Sequence, residues 1–293
     1  MSDISGFILL DKPSGIFSRA AASRVARVLG AHKFGHIGTL DEMASGVLPV
    51  AIGAATKMIP YVEDMCPSVK EYLFSVQFGF ETDTLDIYGT EIRRTDIVPG
   101  YGDVCGVLDQ FIGDIDQIPP AFSALHVDGQ RAYDIARRGG ALNLPARRVH
   151  IDALELVGAD GNSYKFRVRC ARGTYVRALA RDIANACGTV ATVDMIRRTE
   201  TIGVDIKDTV KLDFLENLVN NGADSGKYLE PIDFGLGGIP VLNLDGKSAR
   251  LYKNGGFIAT SMAHGLYRVY SGGEFIGIGM IDDGTLRPKR TIK

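Results

Sequence analysis

Residues 35–46 read Gly-His-Ile-Gly-Thr-Leu-Asp-Glu-Met-Ala-Ser-Gly, so three glycines surround one histidine, His36, and one aspartate, Asp41. Glycine frees the backbone for close approach to a ligand, and the aspartate is a group able to do acid, base or nucleophilic work. A phosphate-cradling loop is one reading, although neither GxGxxG nor the GxxxxGK pattern is present. A Gly-rich turn with Asp41 as its turn or cap residue fits the same letters. A second segment, Arg172-Gly-Thr-Tyr-Val-Arg177, falls where a strand pattern gives way to a helix pattern. Helix capping by Thr174 beside two surface arginines accounts for it without chemistry. The four cysteines, Cys66, Cys105, Cys170 and Cys187, lie far apart with no CxxC pair and no histidine at zinc-ligand spacing. Neither a metal site nor a disulfide framework is expected, and a reducing cytoplasm is the compartment that suits such thiols.

The elements that must position these residues mix helix and strand. Ser18 stands where it would cap an alanine-rich helix running to Leu29, with Val25, Val28 and Leu29 on one face and Gly30 as the stop. Residues 70–79 alternate, putting Tyr72, Phe74, Val76 and Phe78 on one side of a half-buried strand. Residues 147–157 and 163–171 predict two strands joined by a Gly-Ala-Asp-Gly-Asn turn, and 173–187 a helix with Val176, Leu179, Ala180 and Ile183 on its buried stripe. Strands separated by single helices without regular βαβ alternation favour an α+β fold. Pro and Gly crowd residues 230–240 as in a linker. Beyond it, strand-like stretches at 266–270 and 275–281 and a helix near 245–253, ended by Gly255, predict a small β-rich module docked on the main domain.

Composition narrows the class. The 293 residues are 45% hydrophobic and 23% charged, which excludes a disordered chain, a fibre and a coiled coil. No run of 18 uncharged apolar residues predicts a membrane span, and the first residues lack the basic and apolar regions of a signal peptide. The net charge of −2 argues against a protein held on nucleic acid by bulk charge alone. Its distribution is uneven: residues 81–118 hold nine acids and two bases, whereas 126–198 hold thirteen bases and seven acids, and 239–293 eight bases and four acids. Two basic stretches around an acidic body suit a polyanion ligand, and solvated surface charge explains them equally well.

Taken in order, these segments resemble the TruB-type tRNA pseudouridine synthase family over nearly the whole chain. The resemblance runs through Leu10-Asp-Lys12-Pro-Ser-Gly15, the 35–49 segment, Gly53 to Lys57, Lys70-Glu-Tyr72, and Thr82-Asp-Thr84 with Asp86 and Gly89. It continues through Gln117 to Leu125, Arg131-Ala-Tyr133 with Ala136-Arg137, Gly173 to Arg177, and Ile196-Arg-Arg-Thr199. Three positions depart from the family pattern: Glu42 where proline is usual, Phe122 for tyrosine and His126 for lysine.

The resemblance implies a mixed central-sheet catalytic domain over residues 1–232, with an RNA-gripping loop near 117–147, and a PUA-like RNA-binding module over 239–293. It implies isomerisation of uridine 55 in the T-loop of tRNA by a cytoplasmic, monomeric enzyme. Breaking the glycosidic bond, turning the uracil and rejoining it through C5 is redox-neutral and adds no group, so no cofactor or metal is expected. Asp41 would be the catalytic carboxylate and Arg177 the cation holding it ionised. The target base would be flipped out of the RNA and gripped by Tyr72, which is also a candidate for moving a proton, with Ile196 on its other side. Tyr175 would hydrogen-bond near the carboxylate, and His36 would enter the space left by the flipped nucleotide. Lys12, Arg131, Arg137, Arg147, Arg287, Lys289 and Arg290 are candidates for RNA contact.

Overall fold

The computed structural model describes residues 4–123, 125–127, 130–131, 135, 138, 144–221 and 226–292, with backbone alone at 126, 127, 131, 219 and 220. The chain forms two compact units, one of Met1–Asp41, Val47–Pro67 and Ile202–Lys293, the other of Glu42–Gly46 and Ser68–Thr201. One of the four points at which the chain passes between the units therefore falls immediately after Asp41.

In the second unit, period-two alternation builds an antiparallel sheet. Its strands follow the order Ala191–Thr201, Lys70–Phe78, Ser163–Cys170, Arg147–Asp160 and Gly113–Gln117. Register sets which side chains share a face, because directly opposed residues of an antiparallel pair point the same way. Ile196 lies opposite Phe74 and Arg198 opposite Tyr72 on one side, while Phe166 and Val168 oppose the same two residues on the other. Phe74 and Phe166 stack with centroids 5.1 Å apart. The helix Val176–Ala186 packs on the strands Lys70–Phe78 and Ala191–Thr201. Its expected stripe of Val176, Leu179, Ala180 and Ile183 is buried, and each large aliphatic there contributes about 1.5–3 kcal/mol of burial.

In the first unit the strand Gly6–Lys12 carries two short strands, Val210–Lys211 parallel and Leu229–Glu230 antiparallel. The hairpin partner Phe34–His36 pairs with the strand Ser45–Ile52, His36 opposite Val50. The helix Ser18–Val28 ends as expected, with Leu29 at the C-cap and Gly30 at φ +66°. The C-terminal residues form a five-stranded sheet in the order Val241–Asn243, Gly265–Ser271, Glu274–Asp282, Thr285–Thr291, Ile258–Ala259, with the helix Gly246–Lys253 capped by Asp245. This part has its own core of Ala249, Tyr252, Tyr267, Val269, Ile276, Ile281 and Leu286. It also contributes Ile278 and Ile292 to a core containing Phe7, Ala51, Met58 and Val62. Lys57 adds a polar tie, its ammonium donating to the Thr291 carbonyl at 2.9 Å. Sheets and helices in these proportions make the fold α+β, as expected. Among the described residues no helix is long and apolar enough to cross a membrane.

Candidate active site

The Asp41 loop is tied at both ends. On the first unit's side Ser18 does the tying, and not as the expected helix cap. It is the first helical residue, Phe17 holds the N-cap position, and no side-chain cap bond forms. The Ser18 hydroxyl instead donates to the Leu40 carbonyl and accepts from the Leu40 N–H, both at 2.8 Å. That reciprocal pair fixes the backbone one residue before Asp41, which is itself exposed. His36 ends its short strand with Nε2 3.1 Å from the Thr39 hydroxyl. In the second unit, Ser45 and Gly46 pair in parallel with Arg197 and Arg198. Gly46 sits at φ +106°, and a methyl group there would collide with the Arg198 carbonyl oxygen. Only glycine serves at that position, for conformation and for space alike.

The second unit gathers Tyr72 and Ile196 on one buried sheet face, two residues apart in register. Arg177 lies in the first turn of its helix and is only 5% exposed, so it is no surface arginine. Its guanidinium donates to the carbonyls of Thr84 at 2.7 Å and Phe122 at 3.0 Å, and lies 3.4 Å from the Asp86 carboxylate. A planar fork with several donors is suited to this arrangement, whereas an ammonium is not. The phenylalanine at 122 thus meets Arg177 through its backbone, which any residue supplies.

Asp86 is a functional neighbour that sequence reasoning did not assign. Its carboxylate also accepts from the Thr84 hydroxyl at 2.8 Å and the Tyr88 N–H at 3.0 Å. Between Thr84 and Asp86, Leu85 adopts φ +64°, a conformation that costs a non-glycine residue about 1–3 kcal/mol. Bonds from Val193 to the Leu85 carbonyl and from Ile87 to the Val193 carbonyl hold that turn on the sheet. The signal was present in the Thr-Asp-Thr-Leu-Asp run, but the sequence did not show that it faces Arg177.

Tyr175 is the N-cap residue of the helix, with no side-chain cap bond. The buried Gln117 amide brackets it, accepting from the Tyr175 N–H at 2.8 Å and donating to its carbonyl at 3.2 Å. Thr174 donates to the Ala171 carbonyl at 3.0 Å, shaping the preceding turn rather than capping. Below this region burial pushes the Cys170 thiol up to about 11. Among the described residues no group of three or more His, Cys, Asp or Glu side chains is placed to hold a metal ion.

The basic candidates divide. Lys12 corrects one expectation: it is fully buried, and its ammonium donates to the carbonyls of Pro13 at 2.9 Å and Ile16 at 2.6 Å. It braces the loop that enters the first helix and presents no surface for RNA. Arg147 is exposed on an outer strand pair, opposite Gln117. Arg287, Lys289 and Arg290 are exposed on the strand Thr285–Thr291, with the Arg287 guanidinium 5.5 Å from the Phe257 ring centre. Arg137 lies outside the described residues, and of Arg131 only its backbone pairing with His126 is described.

Comparison with known proteins identifies the family. The family model "TruB family pseudouridylate synthase (N terminal domain)" matches residues 26–176, and "Pseudouridine synthase II TruB, C-terminal" matches 240–292. A tRNA pseudouridine synthase B of Gluconacetobacter diazotrophicus is 38% identical, covering 99% of this chain and 97% of the relative. One from Novosphingobium aromaticivorans is 41% identical, covering 98% and 97%. Among solved structures, an H/ACA RNP bound to a substrate RNA containing 2′-deoxyuridine superimposes with TM-score 0.66 at 21% identity, over 98% of this chain and 85% of that one. A Cbf5-Nop10-Gar1 complex gives TM-score 0.66 at 22% identity, over 98% and 84%. These last two likenesses concern the fold alone. With two family models spanning its N- and C-terminal parts, and relatives of about 40% identity aligned along almost its full length, the chain belongs to the TruB family of pseudouridylate synthases.

Proposed function

We propose that the protein converts uridine 55 in the T-loop of tRNA to pseudouridine, with Asp41 as its catalytic carboxylate. The observation that carries this reading is the buried arrangement of the second unit. Tyr72 and Ile196 share one sheet face, and Arg177 is held rigidly by Thr84, Phe122 and Asp86.

In this reading the uracil leaves the RNA stack and lies on the Tyr72 ring, with Ile196 against its other side. The C1′–N1 bond breaks, the base turns, and a C1′–C5 bond forms. The hydrogen on C5 leaves as a proton and N1 takes up one, so atoms and electrons balance without an oxidant or an added group. The Asp41 carboxylate acts on the sugar or the ring, and Arg177 is the cation that favours its ionised form. His36 fills the space vacated in the RNA, and Tyr175 is a polar neighbour of the carboxylate. Residues 1–232 act as the catalytic domain, 117–147 close over the T-arm, and 239–293 grip RNA through Arg287, Lys289 and Arg290. The enzyme works in the cytoplasm as a monomer and uses neither metal nor cofactor.

Tritium release from unmodified tRNA labelled at C5 of uridine tests the reading, with mapping of the modified position. Stoichiometric release, abolished when uridine 55 is replaced by cytidine, is expected. RNA binding without release would make the chain an RNA-binding or RNA-refolding protein on the same scaffold.

A further inference from the structure

Of the Ile196-Arg-Arg-Thr199 stretch, the proposed reaction employs only Ile196. Two residues along the same strand, Arg198 is among the largest wholly buried side chains, at 0% exposure. A buried guanidinium is costly to desolvate, so its neighbours matter. Arg198 stands directly opposite Tyr72 in the antiparallel ladder and on the same face. Opposed side chains on one face of an antiparallel pair lie within reach of each other, which puts the buried Arg198 guanidinium beside the buried Tyr72 side chain. Its backbone meanwhile pairs with Gly46 at the end of the Asp41 loop, so closely that no side chain fits there. One residue therefore stands between Tyr72 and the segment that closes the loop. Burial draws the guanidinium below its usual range, and the interaction with Tyr72 opposes that drift.

A guanidinium only donates, so in a hydrogen bond between the two the phenol oxygen accepts. The Tyr72 O–H is then aimed away from Arg198, and the ring cannot swing on its Cβ without breaking the bond. We propose that Arg198 is a positioning residue for the isomerisation, which fixes the Tyr72 ring and orients its hydroxyl before the flipped uracil arrives. This rests on the function proposed above. RNA affinity comes from many phosphate contacts, so loss of Arg198 falls on turnover and spares binding.

A double-mutant cycle at saturating tRNA tests the proposal. Arg198→Met should slow the single-turnover rate by about 10²-fold, the scale of a misplaced reacting group, while the Kd for tRNA stays within about threefold, since many phosphate contacts remain. In a Tyr72→Phe background the same change should slow the rate further by no more than about twofold, because the hydroxyl it acts through is gone. Arg198→Lys, which keeps a donor, should recover part of the loss. Full multiplication of the two single effects would overturn the proposal and leave Arg198 a packing residue. Should Arg198→Met fail to fold, the cycle is run with Arg198→Lys, and additivity overturns the proposal there too. A separate readout isolates the bond from the activity: the ¹⁹F resonance of 3-fluorotyrosine at position 72 should shift on substitution of Arg198. An unmoved resonance sinks the bond itself, whereas a shifted resonance in a protein that releases no tritium sinks only the assigned reaction.

Discussion

Asp41→Asn keeps the size of the side chain and removes its charge. In the proposed reaction no other carboxylate takes its place, so turnover should fall at least about 10³-fold, the scale for losing a covalent catalyst. Filter binding should show tRNA affinity almost unchanged; near-normal tritium release would end the assignment. Asp86 gives a second prediction. Its carboxylate and the Arg177 guanidinium are both nearly excluded from water, with side chains 9% and 6% exposed. Asp86→Ala leaves a buried charge short of its counter-ion and should cost about 3 kcal/mol, read as a lower urea midpoint. A midpoint equal to wild type would mean that the other partners of Arg177 suffice. These two residues also mark how far the sequence reaches at this scale. Asp41 and Arg177 stand in dense, unusual motifs and were legible through resemblance to a family. Asp86 and Arg198 lie in motifs of the same family pattern, but their roles depend on a left-handed Leu85 and on strand register, neither of which one sequence displays.

Elements that bury one face announced themselves, and elements that bury both did not. The strand Lys70–Phe78 alternates, so its inward row of Tyr72, Phe74, Val76 and Phe78 was readable. The strands Gly6–Lys12 and Ser45–Ile52 are buried along almost their whole length and show no alternation to read. The strand Thr285–Thr291 was masked by its proline and three basic residues. Ser18 illustrates a different limit. Its position suited a helix cap, but its hydroxyl serves the Leu40 backbone, twenty-two residues away in sequence. Ser18→Ala should therefore leave the helix nearly intact while stripping two backbone groups of their partner, at a cost of about 1–3 kcal/mol. Slowed single-turnover rates with unchanged helical circular dichroism are expected; lost helicity would return Ser18 to the role of a cap.

At the scale of the whole molecule, the C-terminal residues have two separable properties, core and charge. Ile278 and Ile292 share a buried cluster with Phe7, Met58 and Val62, so deleting residues 239–293 would uncover that cluster and unfold more than a module. The sequence predicted the docking but not its depth, because the partners stand near opposite ends of the chain. Charge is tested without touching that core. Arg287, Lys289 and Arg290 all face solvent, and Lys57 already secures the end of their strand through the Thr291 carbonyl. Replacing the three with alanine should leave the thermal midpoint nearly unchanged. If they neutralise phosphates, each released counter-ion contributes to the salt dependence of binding. The slope of log K against log salt should then flatten by about 0.9 for every phosphate left without its cation on double-stranded RNA, taking the duplex DNA value. The rate at saturating tRNA should stay near wild type, since the proposed reaction employs none of the three. An unchanged slope would assign these charges to solvent. An unchanged slope with a collapsed rate would mean instead that this strand shapes the catalytic machinery rather than the grip on RNA.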